Sequence, residues 1–489
     1  MSVIPVRSLI GALALGILLV NTSSAAEDRE ATEKPNIVFI MVDDMGYGDP
    51  GCYNPDSKIR TPNIDAIAHA GMMFADAHAS GPLCHMSRYG LMTGRYPFRT
   101  NVNRWPRQPL INAGETTLPS LLKAQGYATA MVGKWHLGFK EDGYENELPG
   151  GPIDVGFSSF FGIRASTDIP PYFYIRGNRA VEPPTVEIGA NATEGWSPIQ
   201  GAFWRKGLIA EDMQLKDVLP RFTDEAISVI ETHESKSQPL FLYLAYPAPH
   251  TPWLPSAEFA GQSRAGLYGD FLEMTDHQIG RVLNALEKKG LAENTLLVFT
   301  SDNGPVWYKR DCEKFGHNSC APLRGMKADA WEAGHRMPFI VRWPGVTKAG
   351  ATSEQLVCFT DMLATAADIV GYPLSMGEGP DSFSFAAVIR GESETSERNS
   401  LVIQSGKGLK MVREGHLKFI NGPGSGGFSG RADTPEDSQD DGGLDSQLYD
   451  LASDIGEQTN LATERPGDVG RLQKLLDDIV GTDSHRSLR

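Results

Sequence analysis

Five short apolar segments, separated by stretches with a helical pattern, constrain the fold of this chain more than any other feature of its sequence. The apolar segments are residues 36–42, 128–132, 240–246, 295–300 and 338–343. Their apolar residues run on without alternation, which is typical of strands buried on both faces of a parallel sheet. Between them, residues 117–125 and 270–289 have helical patterns. We therefore predict an α/β fold, with a large doubly wound domain whose mostly parallel central sheet is flanked by helices.

The character of the sequence changes after about residue 375. Its pattern predicts two short strands within residues 409–420, a third strand at 447–451 and a terminal helix at 469–480. We expect the large α/β domain to occupy residues 33–375. A small C-terminal subdomain, with an antiparallel sheet and a helix, is expected over residues 376–489.

The first 26 residues are typical of a secretory signal peptide. Arg7 supplies the positive charge, residues 9–20 are apolar, and small residues end at Ala26. Because the apolar segment is short for a membrane-spanning helix, cleavage after Ala26 fits better than a retained anchor. We predict an exported protein, periplasmic or secreted, with no stable membrane insertion after cleavage.

The net charge of the chain is −16. This balance argues against nucleic acid as a partner, because phosphate backbones are bound by lysine and arginine. If the protein binds an anion, the site must be a local cationic pocket within an acidic surface.

Polar side chains follow four of the apolar segments, at the point where each predicted strand ends. They are Asp43 and Asp44 after the first segment, Lys134 and His136 after the second, His250 after the third, and Asp302 and Asn303 after the fourth. Ligands of parallel α/β sheets bind outside the carboxyl ends of the strands. We therefore expect these side chains to form one site.

The acids and the amide in this set indicate a metal site. Asp43, Asp44, Asp302 and Asn303 offer oxygen ligands and no sulfur, which suits calcium or magnesium better than zinc. Alone, an Asp-Asp pair is more often a loop cap, and Asp-Asn-Gly is more often a turn. Their joint position at two strand ends favours metal binding.

Residues 81–95 (GPLCHMSRYGLMTGR) resemble the signature of the type I sulfatases, members of the alkaline phosphatase superfamily. The matching residues are Cys84, Ser87, Arg88, Thr93, Gly94 and Arg95. Further blocks resemble the family in the same order along the chain. They begin at Asp43, Gly133, His250, Asp302, Leu323, Glu332 and Leu448.

The resemblance implies an arylsulfatase-like enzyme that hydrolyses sulfate esters of aryl alcohols or carbohydrates. It implies one Ca²⁺ held by Asp43, Asp44, Asp302, Asn303 and modified Cys84. The nucleophile would be the hydrate of formylglycine (3-oxoalanine), made from Cys84 by a maturation enzyme.

The resemblance also implies roles for the remaining residues of the site. Lys134 and Lys327 would neutralise the sulfate, and Arg88 would hold the hydrate and the metal ligands in place. His250 would protonate the leaving alcohol, and His136 would deprotonate the hydrate to expel sulfate. Ser166 matches a family position that contacts sulfate. Substrate binding would therefore involve Ser166, Lys134, His250 and Lys327.

Two residues depart from the family pattern: Ala333, where glycine is common and only a local effect is expected, and Met86. The family usually has proline two residues after the cysteine, where this chain has Met86. That proline is part of the signal that the maturation enzymes read, so a catalytically silent homologue that binds sulfate esters remains an alternative. A phosphatase or phosphodiesterase of the same superfamily is a second alternative. Such enzymes use an unmodified serine or threonine and zinc, which the Cys84, Ser87 and Arg88 pattern disfavours.

Overall fold

The computed structural model describes residues 1–3, 34–234, 238–430 and 444–488. Residues 35–489 form one unit, to which all the elements below belong. Of residues 1–34, only 1–3 and 34 are described, and none of these four lies in a helix or a strand.

The strands are β1 (Asn36–Asp43), β2 (Met72–Phe74), β3 (Ala77–His78), β4 (Ala128–Lys134), β5 (Ser159–Ile163), β6 (Ile175–Arg176), β7 (Arg179–Ala180), β8 (Val186–Ile188), β9 (Gly207–Ile209), β10 (Leu240–Pro249), β11 (Thr295–Ser301), β12 (Phe339–Arg342), β13 (Ala351–Ser353), β14 (Val357–Cys358), β15 (Ser400–Gln404), β16 (Lys410–Glu414), β17 (Leu417–Ile420) and β18 (Gln447–Asp450). Ten of them form one sheet in the order β13-β2-β12-β11-β1-β10-β4-β5-β6-β7. The five central strands, from β11 to β5, run parallel. All eight residues of β1 are buried.

The helices are α1 (Pro62–Ala70), α2 (Cys84–Thr93), α3 (Leu118–Ala124), α4 (Val218–Thr232), α5 (Gly266–Lys289), α6 (Lys309–Phe315), α7 (Met362–Ile369), α8 (Ala386–Ile389) and α9 (Pro466–Gly481). Two groups of helices flank the large sheet. In one group α5 packs against α1, α4 and β10, and in the other α2, α3 and α7 pack together. The predicted doubly wound α/β class is confirmed.

The fifth apolar segment is a strand of a different kind from the one predicted. Residues 338–343 contain β12, which pairs antiparallel with both β11 and β2. It is buried in the large sheet between those two strands, and burial makes its sequence as apolar as that of a parallel strand. Because it runs in the opposite direction, its carboxyl end lies at the edge away from the ends of β1, β4, β10 and β11.

A second sheet of four antiparallel strands has the order β15-β16-β17-β18. The predicted strands within 409–420 and at 447–451 are β16, β17 and β18, whereas β15 was not predicted. One face of the sheet packs on α9 through residues such as Val412, Phe419 and Leu472. The small antiparallel sheet with its helix is confirmed, and the boundary between residues 375 and 376 stays a prediction.

Buried charged side chains connect the small sheet to the large one. We call this set the junction cluster: Asp76, His78, Glu332, His335, Arg336, Arg413, Lys418 and Glu457. The Arg413 guanidinium donates to both oxygens of Asp76, at 2.5 and 2.7 Å. The Lys418 ammonium lies 2.9 Å from Glu332 and 2.8 Å from Glu457. Arg413 and Lys418 are on β16 and β17, so these ion pairs link the two sheets.

The predicted signal peptide, residues 1–26, lies outside the described residues except for 1–3. Among the residues that are described, no helix combines the length and apolar character needed to cross a membrane. Export stays a prediction.

Candidate active site

The carboxyl ends of β1, β4, β10 and β11 meet at one edge of the large sheet, where α2 also begins. We call the polar side chains there the edge cluster: Asp43, Asp44, Cys84, Arg88, Lys134, His136, His250, Asp302, Asn303 and Lys327. All except His250 are buried, and the His250 side chain is 11% exposed. The structure therefore brings together ten of the eleven predicted site residues, and Ser166 lies in the neighbouring loop after β5.

The acids and the amide come from the two central strands. Asp43 ends β1, and Asp302 and Asn303 follow β11, its parallel neighbour. The side-chain amide of Asn303 donates to Asp44 Oδ1 at 2.6 Å. Asp44 has a positive φ of 65°, a strained conformation for a residue with a Cβ. Such strain is often found at functional sites, and here it turns the second carboxylate towards Asn303.

Helix α2 places Cys84 and Arg88 against the same carboxylate. The two residues are four apart, so their side chains lie on one face of the helix. The Cys84 thiol donates to Asp43 Oδ1 at 3.3 Å. The Arg88 guanidinium lies 3.3 Å from Asp43 Oδ2 and donates to Asp302 at 2.8 and 2.9 Å. Because Cys84 is the first residue of α2, the positive end of the helix dipole is directed at it.

Two lysines reach the cluster, one from a strand and one from a loop. Lys134 ends β4 and contacts Asp43 Oδ2 through its ammonium group. The preceding Gly133 is required, because φ is +117° there and a Cβ would lie 2.0 Å from the Ala245 carbonyl oxygen of β10. The Lys327 ammonium lies 2.5 Å from Asp44 Oδ1 and 3.5 Å from Cys84 Sγ.

The loop that carries Lys327 is fixed by main-chain hydrogen bonds. The Lys327 N–H donates to the Pro305 carbonyl at 2.9 Å, and the Ala328 N–H donates to the Pro82 carbonyl at 2.8 Å. Ala328 has a positive φ of 71°. The ammonium group is therefore held between the loop after β11 and the start of α2, which explains its contact with both Asp44 and Cys84.

The two histidines differ in their surroundings. His136 has a positive φ of 62°, is buried, and its Nδ1 has no hydrogen-bond partner among the described residues. His250 donates its Nδ1–H to the Thr251 carbonyl at 2.7 Å, because a carbonyl can only accept. That bond leaves Nε2 facing the cluster, 3.6 Å from Asp44 Oδ2.

Ser166 is buried, and its hydroxyl has no hydrogen-bond partner in the part of the chain that the structure describes. The next residue, Thr167, donates to the Thr251 carbonyl at 3.4 Å, so the loop after β5 packs against the loop that carries His250. This contact places Ser166 beside the edge cluster.

The sequence did not indicate three residues next to the cluster: His85, Trp105 and Asp168. Trp105 packs on His85, with ring centroids 5.5 Å apart, and on His136, at 4.4 Å. Asp168 lies near His250, with 3.9 Å between Oδ1 and Nδ1. Periodicity could not indicate Trp105, because it lies in an irregular segment. Charge marks only the segment as a whole, because residues 77–114 contain five arginines and no aspartate or glutamate.

Burial and charge set the protonation of the cluster. Burial raises the pKa of the Cys84 thiol well above its usual range, and the charges of Asp302 and Asp43 add to the rise. Burial also lowers the pKa of His136 well below its usual value, and nearby Lys134 and His85 add to this effect. Cys84 is therefore a poor thiolate nucleophile in this environment, whereas a neutral His136 can accept a proton.

The ligand set fits a hard divalent cation. Ligand atoms of Asp43, Asp44, Cys84 and His250 all lie within 4.8 Å of one another. Asn303 Oδ1 is buried without a hydrogen-bond partner among the described residues, although its amide nitrogen is bonded. A buried amide oxygen with no donor is unfavourable unless a cation takes that place. Oxygen ligands of this kind suit Ca²⁺ or Mg²⁺.

The charges of the cluster also fit a cation. The carboxylates of Asp43, Asp44 and Asp302 are matched in number by the basic groups of Arg88, Lys134 and Lys327. A bound divalent cation would make the site net positive. The site would then be a cationic pocket within an acidic protein, as an anionic ligand requires.

Comparison with known proteins shows which family the chain is similar to. A protein-family model described as "Sulfatase" matches residues 35–372. The chain is 31% identical to an N-acetylgalactosamine-6-O-sulfatase of Bacteroides thetaiotaomicron, over 94% of this chain and 96% of that protein. It is 32% identical to human arylsulfatase A, over 93% of this chain and 86% of that protein. A solved structure from work on glycosaminoglycan metabolism by B. thetaiotaomicron superimposes with a TM-score of 0.81 at 31% identity, covering 92% of this chain and 100% of that one.

Proposed function

The chain belongs to the sulfatase family, whose members hydrolyse sulfate esters, and we propose that it does so with one Ca²⁺ and a formylglycine made from Cys84. The observation that carries the proposal is the position of Cys84 Sγ. It lies 3.3 Å from the Asp43 carboxylate and 3.5 Å from the Lys327 ammonium, at the start of α2. A nucleophile derived from this residue would sit between the metal ligands and a cation that can hold the sulfate.

The oxygen ligands Asp43, Asp44, Asp302 and Asn303 would hold the ion, which would supply Lewis-acid stabilisation of negative charge. The modification would supply a nucleophilic oxygen where the buried thiol cannot readily ionise. Arg88 holds this arrangement in place, because its guanidinium bridges Asp43 and Asp302.

The side chains around Cys84 divide the remaining work. Lys134 and Lys327 draw the sulfate group towards Cys84 and offset its charge, the kind of fixed electrostatic stabilisation that dominates many active sites. Ser166, whose hydroxyl is buried without a partner among the described residues, donates to a sulfate oxygen.

Two histidines move protons. His250 Nε2 faces the cluster and passes a proton to the leaving alcohol oxygen. His136, neutral because of its burial, accepts the proton of the second hydroxyl at the modified Cys84. Sulfate can then be expelled, which returns Cys84 to its modified form.

We propose carbohydrate sulfates as the main substrate class. The support is the near full-length match to the bacterial N-acetylgalactosamine-6-O-sulfatase. In the acid-free segment at residues 77–114, Arg88 and Arg99 are paired with aspartates. The other three arginines form no ion pair among the described residues, and they would attract such polyanions. Aryl sulfates remain suitable test substrates, because human arylsulfatase A is a comparable relative.

Because Met86 stands where the maturation enzyme usually reads a proline, the alternative to be tested is a catalytically silent homologue that binds sulfate esters. Met86 is the third residue of α2, where a backbone N–H has no helical acceptor, so methionine and proline are both accommodated by the helix. The substitution therefore leaves the site geometry intact. Its effect would be confined to recognition by the maturation enzyme.

The test is sulfate release by the protein purified from its native host. The substrates are 4-nitrophenyl sulfate and N-acetylgalactosamine 6-sulfate, with and without chelation of Ca²⁺. We expect turnover that chelation removes and added Ca²⁺ restores. Binding of the ester without sulfate release would favour the silent homologue, and release of phosphate from a matched phosphate ester alone would favour the phosphatase alternative.

A further inference from the structure

Asp168 has a buried carboxylate that is only half satisfied. Its side chain is 4% exposed, and Oδ2 forms an ion pair with Arg205. Within the described residues Oδ1 has no hydrogen-bond partner. Leaving a buried carboxylate oxygen without a donor is costly, so its retention requires an explanation.

On the Oδ1 side lies the imidazole of His250, whose Nδ1 is 3.9 Å away. The loops that carry the two residues are in contact, because the Thr251 carbonyl accepts both from His250 Nδ1 at 2.7 Å and from Thr167 at 3.4 Å. The ring therefore turns its Nδ1 edge to the Asp168 loop and its Nε2 edge to Asp44.

The carboxylate is also held firmly from its other side. The Arg205 side chain, 46% exposed, contacts Oδ2 and donates to the Asp168 carbonyl at 3.2 Å. The Tyr172 hydroxyl donates to the same carbonyl at 3.0 Å. With its main chain and one oxygen fixed, Asp168 can direct only Oδ1 at the imidazole.

We infer that Asp168 is a positioning residue for His250 in the proposed sulfate-ester hydrolysis, on which this inference rests. As sulfur forms its bond to the nucleophilic oxygen at Cys84, the ester S–O bond breaks. Its electron pair stays on the leaving oxygen, which takes the Nε2 proton of His250. The imidazole is then neutral and keeps its Nδ1–H. Asp168 fixes the orientation that presents Nε2 to the leaving oxygen.

A merely structural role for Asp168 predicts a different result. In that case the ion pair with Arg205 would only attach the segment around β9 to the loop after β5. Its loss would then lower turnover of every substrate by a similar factor. A role through His250 instead depends on how much the leaving group needs a proton.

The experiment measures kcat/KM on 4-nitrophenyl sulfate and 4-methoxyphenyl sulfate, whose leaving phenolates differ in basicity. The variants are Asp168→Asn, His250→Ala, the double variant, and the exposed control Asp217→Asn. For Asp168→Asn we expect a loss of about 10- to 100-fold on the methoxy ester and less than about 3-fold on the nitro ester. In the His250→Ala background the added loss should be under about 2-fold, because the two residues act as one unit.

Equal losses on the two esters, or additive losses in the double variant, would overturn the role of Asp168 while leaving the proposed hydrolysis intact. If His250→Ala itself showed no dependence on the leaving group, the acid role of His250 would fail and this inference with it. Absence of turnover by the wild-type protein on both esters, after its maturation had been verified, would contradict the proposed function instead.

Discussion

The edge cluster and the junction cluster are both buried groups of acids, bases and histidines, and each contains a set of side chains that could hold a metal ion. They differ in how completely their polar atoms are paired. In the junction cluster both oxygens of Asp76 accept from Arg413, and Lys418 lies between Glu332 and Glu457. In the edge cluster Asn303 Oδ1 and His136 Nδ1 have neither a hydrogen-bond nor an ion-pair partner among the described residues. Glu457 Oε1 of the junction cluster also lacks a hydrogen bond there, but it has the Lys418 ammonium at 2.8 Å.

The backbone shows the same contrast. Asp44, His136 and Ala328, all within or beside the edge cluster, have positive φ, whereas Glu457 alone does so in the junction cluster. Strain and unpaired polar atoms lower stability unless a ligand uses them. A buried charged cluster therefore marks a site when its pairing is incomplete, and a structural connection when its pairing is nearly complete.

The largest expected effect is a loss of activity, without a loss of stability, in a variant of the edge cluster. Cys84→Ala should lower kcat/KM by about 10⁴-fold or more, because it removes the atom from which the nucleophile is made. The thiol makes only contacts of 3.3 and 3.5 Å, so the free energy of unfolding should change by less than about 1 kcal/mol. Sulfate release and urea unfolding measure the two quantities. Cys358→Ala, at another buried cysteine, is the control and should keep its activity.

The junction cluster should respond in the opposite way. Lys418→Met leaves Glu332 and Glu457 buried without their shared cation, which should cost about 3–5 kcal/mol of unfolding free energy. Activity per folded molecule should remain close to wild type. Lys407→Met, at an exposed lysine in the loop before β16, is the matched control for urea unfolding. A large loss of activity with unchanged stability would contradict the distinction between the clusters.

The pH dependence of stability sharpens the comparison. Burial raises the pKa of Glu457 to about 7 from an ordinary 4.5. The nearby charge of Lys418 opposes this rise, and that of Glu332 adds to it. The folded protein therefore keeps a proton that the unfolded chain releases, so this group's stabilisation is full below pH 4.5 and is lost as pH rises to about 7. Relative to wild type, Glu457→Gln should gain up to about 3 kcal/mol between pH 4.5 and 8.

Unfolding of the two proteins at several pH values measures this difference. Taking the difference removes the contributions of His78 and His335, whose pKa values burial lowers and which act in the opposite direction. A constant difference across this pH range would show that Glu457 does not titrate there.

The smallest expected effect is a change in KM caused by a residue that packs beside the edge cluster. Trp105→Leu should raise KM about 3- to 10-fold with a smaller change in kcat, because the indole packs on His85 and His136 without being part of the reaction. Trp343→Leu is the control, since it follows β12 and lies at the opposite edge of the sheet. Equal changes of KM in the two variants would show that Trp105 does not contribute to the site.

Most of the fold followed from the sequence, because strands buried on both faces leave uninterrupted apolar runs. The direction of β12 did not follow, since burial makes antiparallel and parallel strands equally apolar. The short β15 was missed for a related reason: its residues 400–404 contain only three apolar residues in a row.

The edge cluster was predictable because parallel strands end at one edge and each end carried a reactive side chain. Lys327 lies outside that rule, in a loop, and only the family resemblance indicated it. Asp168 and Trp105 could not be assigned, because their places depend on loop packing around Thr251 and His136. No local pattern encodes such contacts.

The measurement that tests the central claim most directly is mass spectrometry of the peptide containing Cys84, from protein produced by its native host and assayed for sulfate release in the same preparation. We predict that the thiol sulfur is replaced by an aldehyde oxygen or its hydrate, and that the modified fraction matches the active fraction. An unmodified thiol, in cells whose maturation enzyme modifies another sulfatase, would contradict the proposed nucleophile and leave a protein that binds sulfate esters without cleaving them.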